Sequence, residues 1–270
     1  MRMIAKATLI AFCFLMAHSA SGGDVVRVLV PLSFDEPIAG ALGSLWKSEL
    51  WVVNTGADRV FILGAGMPCN GLPECPPLSA PPGVAIRLDF FAGAAFPGGE
   101  GRYFSVPANA APNLAFNLRI QDISRQAETW GTSIPIIPEQ EFHDDRIDLL
   151  DVPITSEFRR TLRVYGSGSG TLAVRVEVRA IHPSSTPSSA PDEILGSQVF
   201  ELQQPDAASA SYYPAYLQIG NLEEIIPAGT PGPVRVSVFP ASSSTRIWAF
   251  MSVTNNETQH VTTILPRSMP

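Results

Sequence analysis

Two stretches of this chain repeat the same order of residue types, and such internal repetition constrains a fold more than any single motif. Residues 46–55 and 158–167 both read aromatic, basic, two polar or charged residues, Leu, a variable residue, Val, an apolar residue, a turn former and a hydroxyl. Further along, residues 128–135 are echoed in the same order by residues 257–266. The repetition predicts two related modules that share one architecture.

Apolar residues recur at period two, which is the spacing of a strand that buries one face. In residues 172–179 Leu and Val alternate with charged residues at most of the intervening positions, and residues 234–238 repeat the pattern. Turn formers separate many such short segments, and no long segment has the 3.6-residue period of a helix. We therefore expect an all-β fold with two immunoglobulin-like antiparallel β-sandwich domains in tandem.

Composition shifts suggest where the modules begin and end. We predict a first module over residues 24–138, a second over residues 154–270, and a linker over residues 139–153 that includes the most charged stretch of the chain. A short helix is predicted near residues 221–225, where acidic residues would favour the positive end of the helix dipole. The Ser- and Pro-rich run at 182–191 is predicted to be a solvated loop, because it has little apolar surface to bury.

The first 23 residues have the pattern of a secretory signal peptide. Arg2 and Lys6 supply its positive region, the apolar run 7–17 follows, and small residues come next. That run is shorter than the roughly 20 residues that a membrane-spanning helix needs. We predict cleavage between residues 19 and 23, a secreted or periplasmic protein, and no stable membrane insertion after signal removal.

The charge of the chain argues against some classes of partner. Loss of Arg2 and Lys6 with the signal leaves 16 basic and 25 acidic residues, a net charge of −9. Phosphate backbones and anionic lipids are bound by clustered Lys and Arg, and an acidic chain without a basic stripe is a poor partner for either. We therefore predict no nucleic-acid partner.

Cys69 and Cys75 are the two cysteines that remain after the signal, and they flank a turn-rich segment. An even number of cysteines in an exported chain favours a disulfide, here one that would staple a surface loop. The alternative is half of a metal site, but five intervening residues with no nearby His are a weak zinc pattern.

The sequence predicts no catalytic residue, no cofactor and no metal site. The histidines of the mature chain are His143, His182 and His260, and the G-x-S-x-G nucleophile motif is absent. Acidic residues surround His143 within residues 139–148, and carboxylates at this density can hold calcium. Neighbouring side chains on an extended chain point to opposite sides, so we interpret this stretch as a solvated linker and keep calcium as an alternative.

Aromatic residues form the candidate binding surface. Trp46 and Trp51 lie at positions of opposite parity on one predicted strand, so one should be in the core and the other, Trp51, is free to contact a ligand. Tyr212, Tyr213 and Tyr216 cluster in the second module. Aromatics on a sandwich surface bind sugar rings or proteins, although packing at the sheet edge is the commoner role.

Short motifs in the chain resemble those of exported proteins from soil bacteria such as Acidobacteria. The segment 43–54 matches a Gly-Ser/Thr-x-Trp-x-Thr/Ser-x-Leu-x-x-x-Asn pattern, and residues 158–162 match Phe-Arg-x-x-Leu. Near the end, residues 252–258 match Ser-Val-x-x-Asn-x-Thr before the Ile-Leu-Pro of 264–266. Gly166 departs from the pattern, which has Asn there. The resemblance implies a signal peptide followed by paired β-sandwich modules, and it implies no activity or catalytic residue.

The sequence thus favours an exported, non-enzymatic protein with a binding or structural role at the cell envelope or outside the cell. Its expected partner is a protein or a cell-surface glycan. Two alternatives stay open: a secreted hydrolase acting on polysaccharide, which needs two carboxylates facing each other across a cleft, and a calcium-dependent adhesion module.

Overall fold

The protein is all-β, as the period-two pattern predicts, in a computed structural model. The structure describes residues 24–267 except for 33–36, 65–76, 89–100, 126–130, 182–192, 207–209 and the single residues 211, 221, 228 and 231. The predicted signal peptide, the Cys69–Cys75 pair and the Ser- and Pro-rich run lie outside the described residues. Within the described part of the chain, no helix has the length and apolar character needed to cross a membrane.

Strands of two to ten residues account for most of the described structure. In chain order they are β1 (Val25–Val30), β2 (Ile38–Ala39), β3 (Leu45–Asn54), β4 (Val60–Ile62), β5 (Leu78–Ala80), β6 (Ala85–Leu88), β7 (Arg102–Pro107), β8 (Leu114–Asp122), β9 (Thr132–Ile134), β10 (Ile137–Pro138), β11 (Ile147–Val152), β12 (Phe158–Ser167), β13 (Ala173–Ala180), β14 (Ile194–Glu201), β15 (Ala215–Ile219), β16 (Val234–Pro240), β17 (Arg246–Asn255) and β18 (Val261–Ile264). Short 3-10 helices span Ala41–Gly43, Ala111–Asn113, Ile123–Arg125, Glu139–Glu141 and Leu222–Glu224. The last of these lies where the sequence predicts a short helix.

Antiparallel pairing assembles these strands into four larger sheets. Sheet A has the order β10-β1-β7, and sheet B has the order β2-β3-β8-β9 with β6 also paired to β3. Sheet C has the order β15-β12-β17-β18, and sheet D has the order β11-β16-β13-β14. Strands β4 and β5 form a separate two-stranded ribbon.

The repeated segments of the sequence occupy matching places in sheets B and C. The first pair becomes β3 and β12, and each is a ten-residue strand inside its sheet. The second pair contributes β9 and β18, and the orders β3-β8-β9 and β12-β17-β18 correspond. The two sheets approach each other at these last strands, where the Thr132 hydroxyl donates a hydrogen bond of 2.6 Å to the Val261 carbonyl.

Two hydrophobic cores hold the sheets together, and sheet C borders both of them. Leu162 and Val164 of β12 point into the second core, together with the alternating Val residues of β13 and β16 in sheet D. The opposite face of sheet C sends three aromatic side chains into the first core, between sheets A and B. These are Tyr165, Trp248 and Phe250, whose ring centroids lie 5.4 to 6.5 Å apart. Sheet C is therefore buried on both faces over part of its width.

Tyr165 ties sheet C to the first half of the chain through a hydrogen bond as well as through packing. Its side chain is fully buried, and its hydroxyl donates to the Pro31 carbonyl. Burial raises the pKa of the Tyr165 hydroxyl above its usual range, which keeps it protonated and able to donate.

Residues 139–153 are structured, in contrast to the solvated linker expected from the sequence. The 3-10 helix Glu139–Glu141 packs on β1, where Glu139 forms an ion pair with Arg27. Strand β11 then forms an edge of sheet D, with Ile147, Leu149 and Val152 buried. The charged residues around this strand hide its apolar alternation in the sequence, and the pairing with β16 shifts register before Val152.

Candidate functional site

A cavity of about 490 Å³ lies where sheets B and C face each other. We call it the inter-sheet cavity. One wall is largely apolar and comes from the first half of the chain: Leu32, Ile38, Ala41, Trp46, Ile120 and Ile134. The other wall is polar and comes mainly from β12 and β17: Arg159, Thr161, Arg163, Ser252 and Thr254. Its volume falls within the range of small-molecule sites, which is roughly 300 to 1,000 Å³.

Strand alternation explains why polar side chains line one wall of the inter-sheet cavity. On β12, Leu162 and Val164 fill the second core, so the odd-numbered residues Arg159, Thr161 and Arg163 point toward sheet B. Thr161 pairs directly with Ser252 of β17 in the antiparallel register, which brings the two hydroxyl side chains onto the same face. The local sequence therefore places a row of polar groups on a surface that the packing of two sheets then encloses.

Trp46 reaches the inter-sheet cavity because the chain before β3 leaves room for its ring. Gly40 lies against the indole, and a Cβ atom on Gly40 would be 2.3 Å from the ring nitrogen. Any larger residue at this position would displace the ring. Trp46 also packs against the first core, so the wall that it forms is anchored.

Arg163 is the central cation of the inter-sheet cavity. Its Nη1 donates to the Ser252 hydroxyl at 3.0 Å, and its guanidinium carbon lies 5.8 Å from the centroid of the Phe250 ring. Among the described residues, no acceptor lies within hydrogen-bonding distance of its Nε. Removal from water lowers the pKa of Arg163, because a low-dielectric surrounding disfavours the charged form.

The other two arginines that line the inter-sheet cavity already have partners. Arg159 donates to the side-chain oxygens of Asn256 at 2.9 Å and Gln259 at 2.7 Å, which are neutral amides. Arg160 forms an ion pair with Glu223 and also donates to the Pro153 carbonyl at 3.1 Å. Within the described residues, the charges of Arg159 and Arg163 are therefore not balanced by a carboxylate. Burial lowers the pKa of both Arg159 and Arg160.

The aromatic residues predicted as a binding surface do not lie on one surface. Trp51 is 38% exposed on the face of sheet B that points away from the first core, whereas Trp46 lines the inter-sheet cavity. Tyr216 packs against the first core from β15. Tyr212 is 38% exposed, and its carbonyl accepts a hydrogen bond from the Tyr103 amide at 2.7 Å, while Tyr213 is half-buried. A ligand-binding role for these residues stays a prediction.

In the acidic stretch considered for calcium, residues 139–148, the carboxylates of Glu139 and Asp148 pair with different arginines. Glu139 pairs with Arg27, and Asp148 lies in sheet D beside Arg146 and accepts a hydrogen bond of 2.5 Å from Ser237. Across the described ranges, no group of three or more His, Cys, Asp or Glu side chains is placed to hold a metal ion. The local chemistry of this stretch is that of structural ion pairs.

The inter-sheet cavity was missed by sequence reasoning, although β17 carries a signal that points to it. Residues 247–251 of β17 form a continuous apolar run, which is typical of a strand buried on both faces. Such a strand implies that the second face of its sheet also packs against other structure. Polar residues on that second face, such as Arg163 and Ser252, are then expected to be enclosed.

No protein-family model, curated protein or solved structure matches this chain, and the site is therefore interpreted from its own geometry.

Proposed function

We propose that this protein is an exported, non-enzymatic binding protein, built on two related β-sandwich modules, that holds a small ligand in the inter-sheet cavity. The observation that carries the proposal is the pairing of a partly open cavity with cations that no carboxylate of the described residues neutralises. Arg159 and Arg163 concentrate positive charge in a chain whose formal net charge is −7. A buried charge is costly unless it is compensated, and a bound ligand would supply that compensation.

The size and shape of the inter-sheet cavity favour a small molecule, or the end of a glycan, over a folded protein partner. A stable protein interface buries more than about 1,000 Å² over a broad surface. Here Trp46 and Arg163 instead line one concave space. Enclosed aromatic and apolar walls with a few polar groups are the usual features of small-ligand sites.

The composition of the cavity wall favours binding over glycoside hydrolysis. A glycosidase of the common type uses two carboxylates, separated by roughly 5 to 10 Å, as acid and base or nucleophile. Glu223 is the single carboxylate among the residues that line the inter-sheet cavity, and it is ion-paired with Arg160. The calcium-dependent alternative is less well supported, because Glu139 and Asp148 have arginine partners of their own.

Partial filling of the cavity tests the proposal. Ala41 lines the inter-sheet cavity and is exposed, so Ala41→Trp adds bulk there without overpacking a core. Ala57→Trp places the same side chain on an exposed turn outside the cavity and serves as the control. The measurement is thermal unfolding of each protein with a panel of aliphatic and aromatic carboxylates, their neutral amides, and neutral sugars.

We expect at least one class in the panel to raise the Tm of the wild type and of Ala57→Trp, because a ligand that binds only the native state stabilises it. Ala41→Trp should lose that increase. The proposed function would be wrong if no class stabilised the wild type, or if Ala41→Trp kept the full response.

A further inference from the structure

We infer that the ligand of the inter-sheet cavity is a monocarboxylate with an apolar body, and that Arg163 binds its carboxylate. This inference rests on the proposed function and adds the chemical class of the ligand and the residue that selects it.

The hydrogen bonding of Arg163 leaves part of its guanidinium without a protein acceptor. Ser252 takes the Nη1 group at 3.0 Å, and in the described structure Nε has no acceptor. Nη2 makes no hydrogen bond within the described residues, so it is the guanidinium nitrogen that can donate a charge-assisted hydrogen bond to a carboxylate. Ser252 holds the guanidinium in one orientation, so little rotamer freedom would be lost when an anion binds.

The surroundings of Arg163 favour an anion over a neutral acceptor. The Phe250 ring lies at one side of the guanidinium, and no acidic residue of the described chain forms an ion pair with it. A charged donor left unpaired in a desolvated site carries a penalty, and a charge-assisted hydrogen bond to an anion offsets more of that penalty than a neutral carbonyl does.

The single charge of the ligand follows from the other arginines on the wall. The two Nη groups of Arg159 already donate to Asn256 and Gln259, and Arg160 is neutralised by Glu223. One guanidinium without an anionic partner is complementary to one carboxylate, whereas a phosphate dianion would need further free donors.

The opposite wall specifies the rest of the ligand. Trp46, Ile120 and Ile134 present an aromatic ring and two aliphatic side chains to the space across from Arg163. These groups have no charge, and apart from the indole N–H of Trp46 they offer a polar ligand body no hydrogen-bond partner. An apolar body, either a flat ring system or a medium-length chain, matches this wall.

Isothermal titration of the full mature protein tests the inference with two probe pairs. The carboxylates are 2-naphthoate and decanoate, and the matched neutral probes are 2-naphthamide and decanamide. We expect at least one carboxylate to bind, and to bind at least about tenfold more tightly than its own amide, since hydrogen bonds to charged groups are the stronger ones.

Three variants assign the effect to Arg163. Arg163→Gln should weaken binding of the carboxylate about 10- to 100-fold, and Arg163→Lys should recover part of the affinity because it keeps the charge and loses the planar donor edge. Arg59→Gln makes the same charge change at an exposed arginine outside the cavity and should bind as the wild type does. Circular dichroism and Tm verify that each variant is folded.

The inference is overturned if each amide binds as tightly as its carboxylate, or if folded Arg163→Gln keeps wild-type affinity. If Arg163→Gln does not fold, the ligand class is still tested by comparing the affinities of carboxylate and amide for the wild type. If neither carboxylate binds but neutral members of the thermal panel stabilise the protein, the ligand class is wrong and the proposed function stands. If no member of the panel binds, the proposed function itself fails.

Discussion

Glu177 and Asp148 are carboxylates on the outward face of sheet D, yet each side chain is almost completely buried. Glu177 lies under Arg175 and Arg179, with 2.7 Å between its Oε1 and Arg175 Nη1. Strand alternation correctly predicts that Arg175, Glu177 and Arg179 share the face opposite the Val residues of β13. The long arginine side chains then cover the shorter carboxylate, because their apolar stems lie along the sheet.

Removal of the charge at Glu177 should destabilise the protein. Glu177→Gln leaves two arginines without their anion in a partly buried network, and we expect a loss of about 2–3 kcal/mol in the free energy of unfolding. Urea denaturation followed by circular dichroism measures the change. Glu201→Gln on the exposed surface of β14 is the matched control and should change stability by less than about 0.5 kcal/mol. Equal effects of the two substitutions would contradict a structural role for the Glu177 network.

At the scale of the strand, the sequence predicts well which face of a single strand is buried. It predicts poorly whether other sheets pack against the opposite face. The alternation in β3 and β12 correctly predicts that Leu50 and Leu162 point into a core. Trp51 and Arg163 hold the same place in the repeated segment, yet Trp51 is exposed and Arg163 lines the inter-sheet cavity. The difference arises because sheet C packs on both faces, which depends on the stacking of sheets far apart in the sequence.

The same reasoning explains the error at residues 139–153. A strand such as β11 is stabilised by its pairing with β16, which follows about 85 residues later. The local composition shows the charged residues near Asp148. It does not show that β16 pairs with β11 in the folded protein. The cavity was unpredictable for a related reason, since its two walls come from sheets B and C and no local motif spans them.

Burial of the second face of sheet C should contribute measurably to the free energy of unfolding. Trp248 is buried in the first core against Tyr165, and Trp248→Ala should cost about 3–5 kcal/mol through lost burial and a residual cavity. Trp51→Ala makes the same chemical change on a side chain that is 38% exposed, and it should cost clearly less because less apolar surface is lost from burial. Chemical denaturation of both variants gives the comparison. A small effect at Trp248 would mean that the aromatic face of sheet C does not support the first core.

At the scale of the whole molecule, the two cores share a sheet and so should not unfold independently. Sheet C supplies Leu162 and Val164 to the second core and Tyr165, Trp248 and Phe250 to the first. Loss of the second core would release β12 and β17, and the first core would then lose three aromatic side chains and the hydrogen bond from Tyr165 to Pro31. The structure thus couples the two cores through one shared sheet.

Thermal unfolding of residues 24–270 tests this coupling. We expect one cooperative transition, with coincident midpoints by far-UV circular dichroism and by calorimetry and with calorimetric and van't Hoff enthalpies that agree. Trp248→Ala lowers this common midpoint without splitting the transition, because the substituted side chain belongs to a strand that both cores require. Residues 24–138 expressed alone should bind a hydrophobic dye, because the surface that normally packs on sheet C is uncovered. Two separate transitions in the full chain, with only one of them shifted by Trp248→Ala, would mean that the shared sheet does not couple the cores.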